Sequence, residues 1–227
     1  QIQLEKLTGI ELPKVKEIFA IEEIDAVTDR RVSVFQDFLK FGRERCGELM
    51  AKVEESGYNA VFDDVAIMVY TSGTTGVPKG AMLSHKYILN SVESLRQSVP
   101  IFDTDIAFSY LPGCHVAERI SGIYNRLYNG TPAYFVDDLS RLYEYMLDVK
   151  PTVFASLPRF FEKIHASIVS NQRVEKIDPK VVNDAFGGRM RLLTSGGAPL
   201  PNEIAQFFAD AGLPILQAYG LTENICV

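Results

Sequence analysis

The sequence predicts an α/β protein with a doubly wound, mainly parallel sheet flanked by helices. Short apolar runs typical of buried strands alternate with segments whose apolar residues recur at helical spacing. Loops rich in glycine, proline and hydroxyl residues follow the predicted strands. Because ligands of such sheets bind at the carboxyl ends of the strands, we expect these loops to form a site.

The first 60 residues are predicted to form a connecting strand and helix. The apolar run at residues 18–21 is the strand candidate. From Ser33 onward, apolar residues recur at helical spacing, which predicts one amphipathic helix that ends near Gly57. We expect the helix to serve packing.

Residues 61–227 are predicted to form the core that carries the site. The predicted strands lie at residues 65–69, 106–111, 132–136, 152–156, 190–194 and 214–217. The predicted helices lie at residues 85–98, 115–128, 139–149, 158–170 and 202–211. Ser84 is the expected N-cap of the first of these helices. The polar, charged residues 171–180 are predicted to form a loop.

Residues 70–80 form the most distinctive loop, because an apolar strand leads directly into hydroxyl residues and glycines. The hydroxyl groups belong to Thr71, Ser72, Thr74 and Thr75. The glycines are Gly73, Gly76 and Gly80, and Lys79 adds one cation. Hydroxyls, accessible backbone amides and a cation together favour phosphate binding. The alternatives are a surface turn without a ligand and, for Lys79, an ordinary solvated lysine.

The spacing of this loop differs from that of the common P-loop, in which four residues separate a glycine from Gly-Lys-Ser/Thr. Gly73 and Gly76 are closer together than that pattern requires. In addition, Pro78 precedes Lys79, and Gly80 follows it. A P-loop NTPase is therefore disfavoured.

Charge, cysteine content and the length of the apolar stretches limit the kinds of molecule that this protein is expected to bind. The net charge of −6 disfavours general nucleic-acid binding, since no basic cluster offsets it. Three widely separated cysteines lack metal-ligand spacing and are predicted to be buried thiols of a reduced, cytoplasmic protein. No apolar stretch approaches the ~20 residues that span a bilayer. Peripheral contact with a membrane stays open.

Three motifs together resemble the acyl-adenylate-forming (AMP-binding) superfamily. Residues 70–80 look like its phosphate loop, and residues 195–200, Ser-Gly-Gly-Ala-Pro-Leu, look like its adenine-binding loop. Residues 217–223, Gln-Ala-Tyr-Gly-Leu-Thr-Glu, look like its tyrosine-glycine-x-threonine-glutamate motif. Residues 111–119 and 157–164 look most like the long-chain fatty acid–CoA ligases of this superfamily. The resemblance implies part of the large N-terminal domain of the adenylate-forming fold.

The resemblance also implies a role for residues in each motif. Those that would hold the β- and γ-phosphates of ATP are Thr71, Ser72, Gly73, Thr74, Thr75 and Lys79. Those that would bind the rest of the nucleotide are Gly196, Gly197, Ala198, Gln217, Ala218, Tyr219 and Thr222. Glu223 would hold Mg²⁺, and His115 would orient the acyl carboxylate. The alternatives are a packed aromatic for Tyr219, a helix-start carboxylate for Glu223 and a packed or solvated histidine for His115.

The implied reaction is ATP-dependent activation of a long-chain fatty acid as an acyl-adenylate, followed by transfer of the acyl group to CoA. Two alternatives stay open: an adenylating enzyme for another carboxylic acid, and a non-catalytic scaffold that binds nucleotide or acyl-adenylate. The lysine-bearing C-terminal domain of the superfamily is not found in residues 1–227. We therefore expect this chain alone to lack ligase activity.

Overall fold

A computed structural model describes residues 2–8, 10–22, 29–71, 76–171 and 178–225. The chain divides into two compact units, Gln1–Ala60 and Val61–Val227. Among the described residues, no helix has the length and apolar character that crossing a bilayer requires.

The first unit combines a small parallel sheet with helices. Its elements are α1 (Ile2–Thr8), β1 (Ile18–Ala20), β2 (Val32–Val34), α2 (Phe35–Glu44) and α3 (Cys46–Tyr58). The strand predicted at residues 18–21 is present as β1 and pairs with β2. The single predicted helix is instead two helices, because Arg45 leaves the helical region with φ −105° and ψ 6°.

The second unit contains strands and helices in alternation. The strands are β3 (Val65–Thr71), β4 (Lys79–Ser84), β5 (Ala107–Ser109), β6 (Ala133–Phe135), β7 (Val153–Ser156), β8 (Leu192–Gly196) and β9 (Ile215–Ala218). The α-helices are α4 (His85–Ser98), α5 (Asn125–Asn129), α6 (Leu142–Val149), α7 (Pro158–Asn171), α8 (Pro179–Asp184) and α9 (Asn202–Asp210). A π-helix (Ala117–Tyr124) precedes α5.

The parallel strands follow the spatial order β6, β5, β7, β8, β9. β5 pairs with β6, and β8 pairs with both β7 and β9. At the start of β7, the amides of Thr152 and Val153 donate to the carbonyl oxygen of Ile106, which places β7 beside β5. The chain thus runs from β5 outward to β6 and then returns to the other side of β5. Such a reversal is where doubly wound sheets bind their ligands.

Helices cover both faces of the parallel strands. Phe108 in β5 packs in the largest apolar cluster, which also holds residues of α6, α7, α8 and α9. The next residue, Ser109, points to the opposite face, where its hydroxyl donates to Glu118 of the π-helix. This alternation follows from the two-residue period of a strand. The predicted α/β class with a doubly wound, mainly parallel sheet is confirmed.

The predicted loop at residues 70–80 is in part a β-hairpin. β3 continues to Thr71 and pairs antiparallel with β4, in which Lys79 lies opposite Thr71. The prediction ended the first strand at Val69 and missed β4, because polar and small residues interrupt the apolar pattern of residues 79–84. Residues 72–75 lie outside the described part of the chain.

The helix that follows the hairpin agrees with the prediction. α4 spans His85–Ser98, and the hydroxyl of Ser84 accepts a hydrogen bond from the amide of Tyr87 at 3.2 Å. This bond satisfies one of the amide groups that the first turn of a helix leaves free.

Other predictions need correction in detail. The helix predicted at residues 115–128 is the π-helix followed by α5. Of the segment at residues 171–180, predicted as a loop, residues 172–177 lie outside the described part of the chain. Its first residue ends α7 and its last two begin α8, where Asp178 caps the amide of Lys180. Cys46 and Cys114 are exposed, so the prediction of buried thiols is wrong for both. Cys226 lies outside the described residues.

An ion pair between buried Asp105 and exposed Arg191 joins the amino ends of three parallel strands. Asp105, which is 3% exposed, bonds to the guanidinium of Arg191 and accepts from the hydroxyl of Thr152 at 2.7 Å. Arg191 immediately precedes β8, Thr152 immediately precedes β7, and Asp105 lies just before β5. Burial alone would raise the pKa of Asp105, but the hydrogen bonds from Arg191, Thr152 and the amide of Phe102 hold it below the usual value.

We predict that Arg191→Met lowers the free energy of unfolding at pH 7 by about 2–3 kcal/mol, because Asp105 stays buried without its cation. A carboxyl whose folded pKa is lowered stabilises the fold above its unfolded pKa and loses that effect as the pH falls. The difference between wild type and variant should therefore shrink in urea unfolding at about pH 3, below the ordinary carboxyl pKa of 3.8. Arg141→Met, which breaks an exposed pair with Glu144, is the control. Equal losses in both variants would contradict this role.

Candidate functional site

The carboxyl ends of β8 and β9 lie side by side at the candidate site. Ser195 pairs with Gln217, and Gly196 pairs with Ala218. A Cβ atom on Gly196 would lie 3.1 Å from the carbonyl oxygen of Ala218. Gly197 has φ +80°, and its Cβ would lie 3.0 Å from Cδ2 of Leu157. The backbone of Ala218 therefore crowds any side chain at position 196, and the positive φ favours glycine at position 197, in addition to any role toward a flat base.

Tyr219 follows β9 at this edge, and its side chain is 70% exposed. Among the described residues, Tyr219 is therefore not packed in the apolar core. An exposed aromatic ring beside a glycine-rich loop can stack on a planar base. Gln217 and Ala218, which precede it, are also exposed.

Thr222 and Glu223 lie in a tight turn between Leu221 and Asn224. The amide of Leu221 donates to the carbonyl oxygen of Asn224 at 2.9 Å, and the reverse bond measures 3.2 Å. Among the described residues, Glu223 thus lies in a turn between Leu221 and Asn224. Its carboxylate is exposed at the tip of the turn.

Tyr87 of α4 holds this turn in place. Its hydroxyl donates to the carbonyl oxygen of Thr222 at 3.0 Å and accepts from the amide of Ile225 at 2.9 Å. The two bonds tie the turn to the helix that follows the hairpin. The sequence indicated Tyr87 only as part of the apolar face of α4, and no local pattern would have revealed its distant partners.

Four loops follow predicted strands and carry the predicted site residues: residues 70–80, 111–119, 195–199 and 217–223. An apolar cluster joins three of them. Ile225, just after the turn, is buried with Val69 and Leu83 of the hairpin. The same cluster holds Val116, which precedes the π-helix, and Ile120, which lies within it. The hairpin, the start of the π-helix and the turn at Thr222 are therefore attached to one another. The fourth loop, at Gly196, is fixed to β9 by strand pairing.

The described ends of the predicted phosphate loop face each other across the hairpin. Thr71 and Lys79 are paired, and the hydroxyl of Thr71 donates to the carbonyl oxygen of Lys79 at 3.4 Å. The side chain of Lys79 is exposed. The predicted phosphate ligands Ser72, Gly73, Thr74 and Thr75 lie outside the described residues.

His115 lies in an exposed loop between β5 and the π-helix. Its Nδ1 accepts a hydrogen bond from the amide of Ala117 at 3.1 Å. In the neutral ring the proton must then reside on Nε2, which is left as a donor. The imidazole is therefore suited to donate a hydrogen bond to a carboxylate. His115 is exposed, and the alternative of an ordinary solvated histidine stays open.

The acidic side chains of the site could bind a cation only if a bound ligand supplied further oxygen atoms. Within the described ranges, no group of three or more His, Cys, Asp and Glu side chains could hold a metal ion. Glu223 supplies one exposed carboxylate. Mg²⁺ in nucleotide sites commonly takes one or two carboxylates and fills its remaining positions with phosphate and water oxygens, so this single group fits such an ion.

Ser195 is a feature that the sequence did not single out beyond its motif. Its side chain is 2% exposed, and its hydroxyl has no hydrogen-bond partner among the described residues. It lies between Ser156 of β7 and Gln217 of β9 in the register of the sheet. The carboxyl edge of the sheet therefore carries a row of polar side chains directly above its apolar core.

Comparison with known proteins agrees with this geometry. The AMP-binding enzyme family matches residues 10–227. The peroxisomal long chain acyl-CoA synthetase 6 of Arabidopsis thaliana is 31% identical over 196 residues, which cover 73% of this chain and 28% of that protein. ATP-bound MatB from Rhodopseudomonas palustris is 27% identical with a TM-score of 0.59, over 74% of this chain and 31% of MatB. A malonyl-CoA ligase complex with methylmalonyl-CoA and AMP is 28% identical with a TM-score of 0.62, over 74% of this chain and 35% of the ligase.

The chain thus spans about a third of the length of these proteins, with coverage of 28% for the plant synthetase and 35% for the malonyl-CoA ligase. The family match extends over nearly all of the chain, through both of its compact units. The resemblance inferred from the three motifs is confirmed. The chain belongs to the AMP-binding enzyme family.

Proposed function

We propose that the whole protein activates a long-chain fatty acid with ATP and transfers the acyl group to CoA. The observation that carries the proposal is the arrangement at the carboxyl edge of the sheet. There an exposed Tyr219 lies beside the Gly196 loop, and the Thr222 turn is tied through Tyr87 to the helix that follows the hairpin. The plant relative is named a long chain acyl-CoA synthetase, which favours a long acyl chain.

In this proposal each loop contacts a different part of ATP. Gly196, Gly197 and Ala198 lie against one face of adenine, and Tyr219 stacks on the other. Thr222 donates to the α-phosphate. Residues 71–75 and Lys79 bind the β- and γ-phosphates through hydroxyls, amides and one positive charge. Mg²⁺ held by Glu223 would neutralise charge on the phosphate oxygens.

The first half-reaction joins the acid to AMP. A carboxylate oxygen attacks the α-phosphorus, the bond from that phosphorus to the oxygen bridging to the β-phosphate breaks, and pyrophosphate leaves. In the second half-reaction the CoA sulfur attacks the acyl carbonyl, AMP leaves and the thiol proton passes to solvent. Neither step needs a protein nucleophile, so catalysis depends on positioning and on stabilising the charge that develops on phosphate oxygens.

His115 orients the acid in this scheme. A carboxylate is already ionised at neutral pH and needs no general base. The Nε2 proton that the bond to Ala117 leaves available can donate to one carboxylate oxygen and direct the other toward phosphorus.

The carboxylic acid that the whole protein activates distinguishes this proposal from its alternatives. We expect exchange of radioactive pyrophosphate into ATP by the whole protein to depend on saturated acids of about 12–18 carbons, since acyl-chain burial stabilises binding by about 0.8 kcal/mol per CH₂. Exchange with malonate or an aryl acid alone would instead indicate another adenylating enzyme. Nucleotide binding without exchange on any acid would favour the scaffold.

Lys79→Ala should reduce adenylation by the whole protein by about tenfold to hundredfold, because one charged donor to the leaving pyrophosphate is lost. Thioester formation from preformed acyl-adenylate should stay close to wild type, since pyrophosphate has already left. Single-turnover assays of each half-reaction measure both rates. Lys86→Ala, an exposed lysine in the first turn of α4, is the control. Equal loss in both half-reactions would rule out the assigned role.

Tyr87→Phe should raise the KM for ATP by about threefold to tenfold, because it removes the two hydrogen bonds that hold the Thr222 turn while keeping the ring. The matched control is Tyr128→Phe, which removes a surface hydroxyl that bonds to Glu93. Steady-state kinetics with ATP as the varied substrate decide the result. An unchanged KM and kcat in Tyr87→Phe would show that the Thr222 turn holds its position without the two hydrogen bonds of the Tyr87 hydroxyl.

A further inference from the structure

A buried ion pair lies at the carboxyl end of β5, away from the residues assigned to the nucleotide. Glu118 is 4% exposed and Arg126 is 8% exposed. An oxygen of Glu118, Oε1, accepts from the Ser109 hydroxyl at 2.6 Å and from Nη2 of Arg126 at 2.5 Å. Nη1 of Arg126 donates to the carbonyl oxygen of Phe108 at 3.0 Å. The pair thus fixes the π-helix and α5 to the last residues of β5.

Such a pair is a costly way to attach a helix to a sheet. Two charges lose their hydration, and an apolar pair of similar size is often as stabilising. The negative charge of Glu118 also adds to burial in raising the pKa of the neighbouring Tyr110 to about 12. The ion pair determines how the helices are oriented, because its short bonds fix both the π-helix and α5 in one orientation on β5.

The helix around Glu118 is shaped to accommodate the pair. Residues 117–124 form a π-helix, an irregularity that is frequent at functional sites. A Cβ atom on Gly122 would lie 2.8 Å from Oε1 of Glu118 and 3.2 Å from Nη2 of Arg126. Only glycine leaves room for the two side chains to meet in this position.

The same helix holds the loop that carries His115. The amide of Arg119 donates to the carbonyl oxygen of His115 at 2.9 Å, and Nε of Arg119 donates to that of Gly113 at 2.9 Å. The amide of Ala117 donates to the imidazole itself. Any shift of the first turn of the π-helix therefore moves His115 with it.

We propose that Glu118 and Arg126 are positioning residues that set the place and ring orientation of His115 by fixing the π-helix to the end of β5. The catalytic consequence rests on the proposed function, in which His115 orients the acyl carboxylate. The positioning itself does not depend on that function. Neither residue contacts substrate in this scheme, and the pair acts only through the backbone of the π-helix.

The test uses three variants of the whole protein that disturb the pair in different ways. Glu118→Gln combined with Arg126→Gln removes both charges and leaves no unpaired one. Gly122→Ala keeps the charges and pushes a methyl group against Glu118. Ser109→Ala removes the hydroxyl that donates to Glu118 and accepts from Nη2 of Arg126, keeps both charges and is the mildest change. The control is Glu144→Gln with Arg141→Gln, which makes the same substitutions in an exposed pair.

The first readout is the NMR signal of the Cε1–Hε1 group of His115 in protein labelled at histidine, assigned by His115→Gln. We expect this signal to shift or broaden in all three variants and to keep its position in the control. The signal of His85, exposed at the start of α4, serves as the internal reference and should not move. A general loosening of the fold would change both signals.

The second readout is steady-state kinetics. We expect the KM for the acid to rise about tenfold in the double variant and in Gly122→Ala, with the KM for ATP unchanged within about twofold. Displacement of His115 without any ligase activity in the wild type would retain the positioning role and reject the proposed function. An unmoved His115 signal in folded Ser109→Ala and in either stronger variant would overturn the inference.

Discussion

The parallel register of β7, β8 and β9 is the constraint on which the candidate site depends. It places Ser156, Ser195 and Gln217 at one level, so that the loops after the three strands leave the sheet together. Below that level, Phe154, Leu193 and Ile215 form part of the apolar core. The position of the loops is therefore set by the same packing that stabilises the sheet, and a ligand at this edge meets a surface that already exists before binding.

The antiparallel hairpin is held at the same site by different contacts. It shares no ladder with the parallel strands among the described residues. Its attachment is the apolar cluster around Ile225 together with the hydroxyl of Tyr87. Among the described residues, the position of the hairpin therefore depends on side-chain packing rather than on pairing with the parallel strands.

Most of the fold could be predicted from hydrophobic periodicity, and the site motifs from short-range residue spacing. The strands at β5 to β9 and the helix that begins after Ser84 follow directly from such patterns. The antiparallel pairing of β4, the π-helix and the bonds of Tyr87 could not be predicted, because each depends on contacts between residues far apart in the chain. The requirement for glycine at position 122 likewise arises from a buried ion pair that no local pattern shows.

The most direct test of a nucleotide site at the carboxyl edge of the sheet is photolabelling of the whole protein with 8-azido-ATP, followed by tandem mass spectrometry. The account predicts label on Tyr219 or on residues 196–198, which excess ATP abolishes. Label on the outer groove between α6 and α7, lined by Tyr143 and Lys163, or label that excess ATP leaves unchanged, would contradict it.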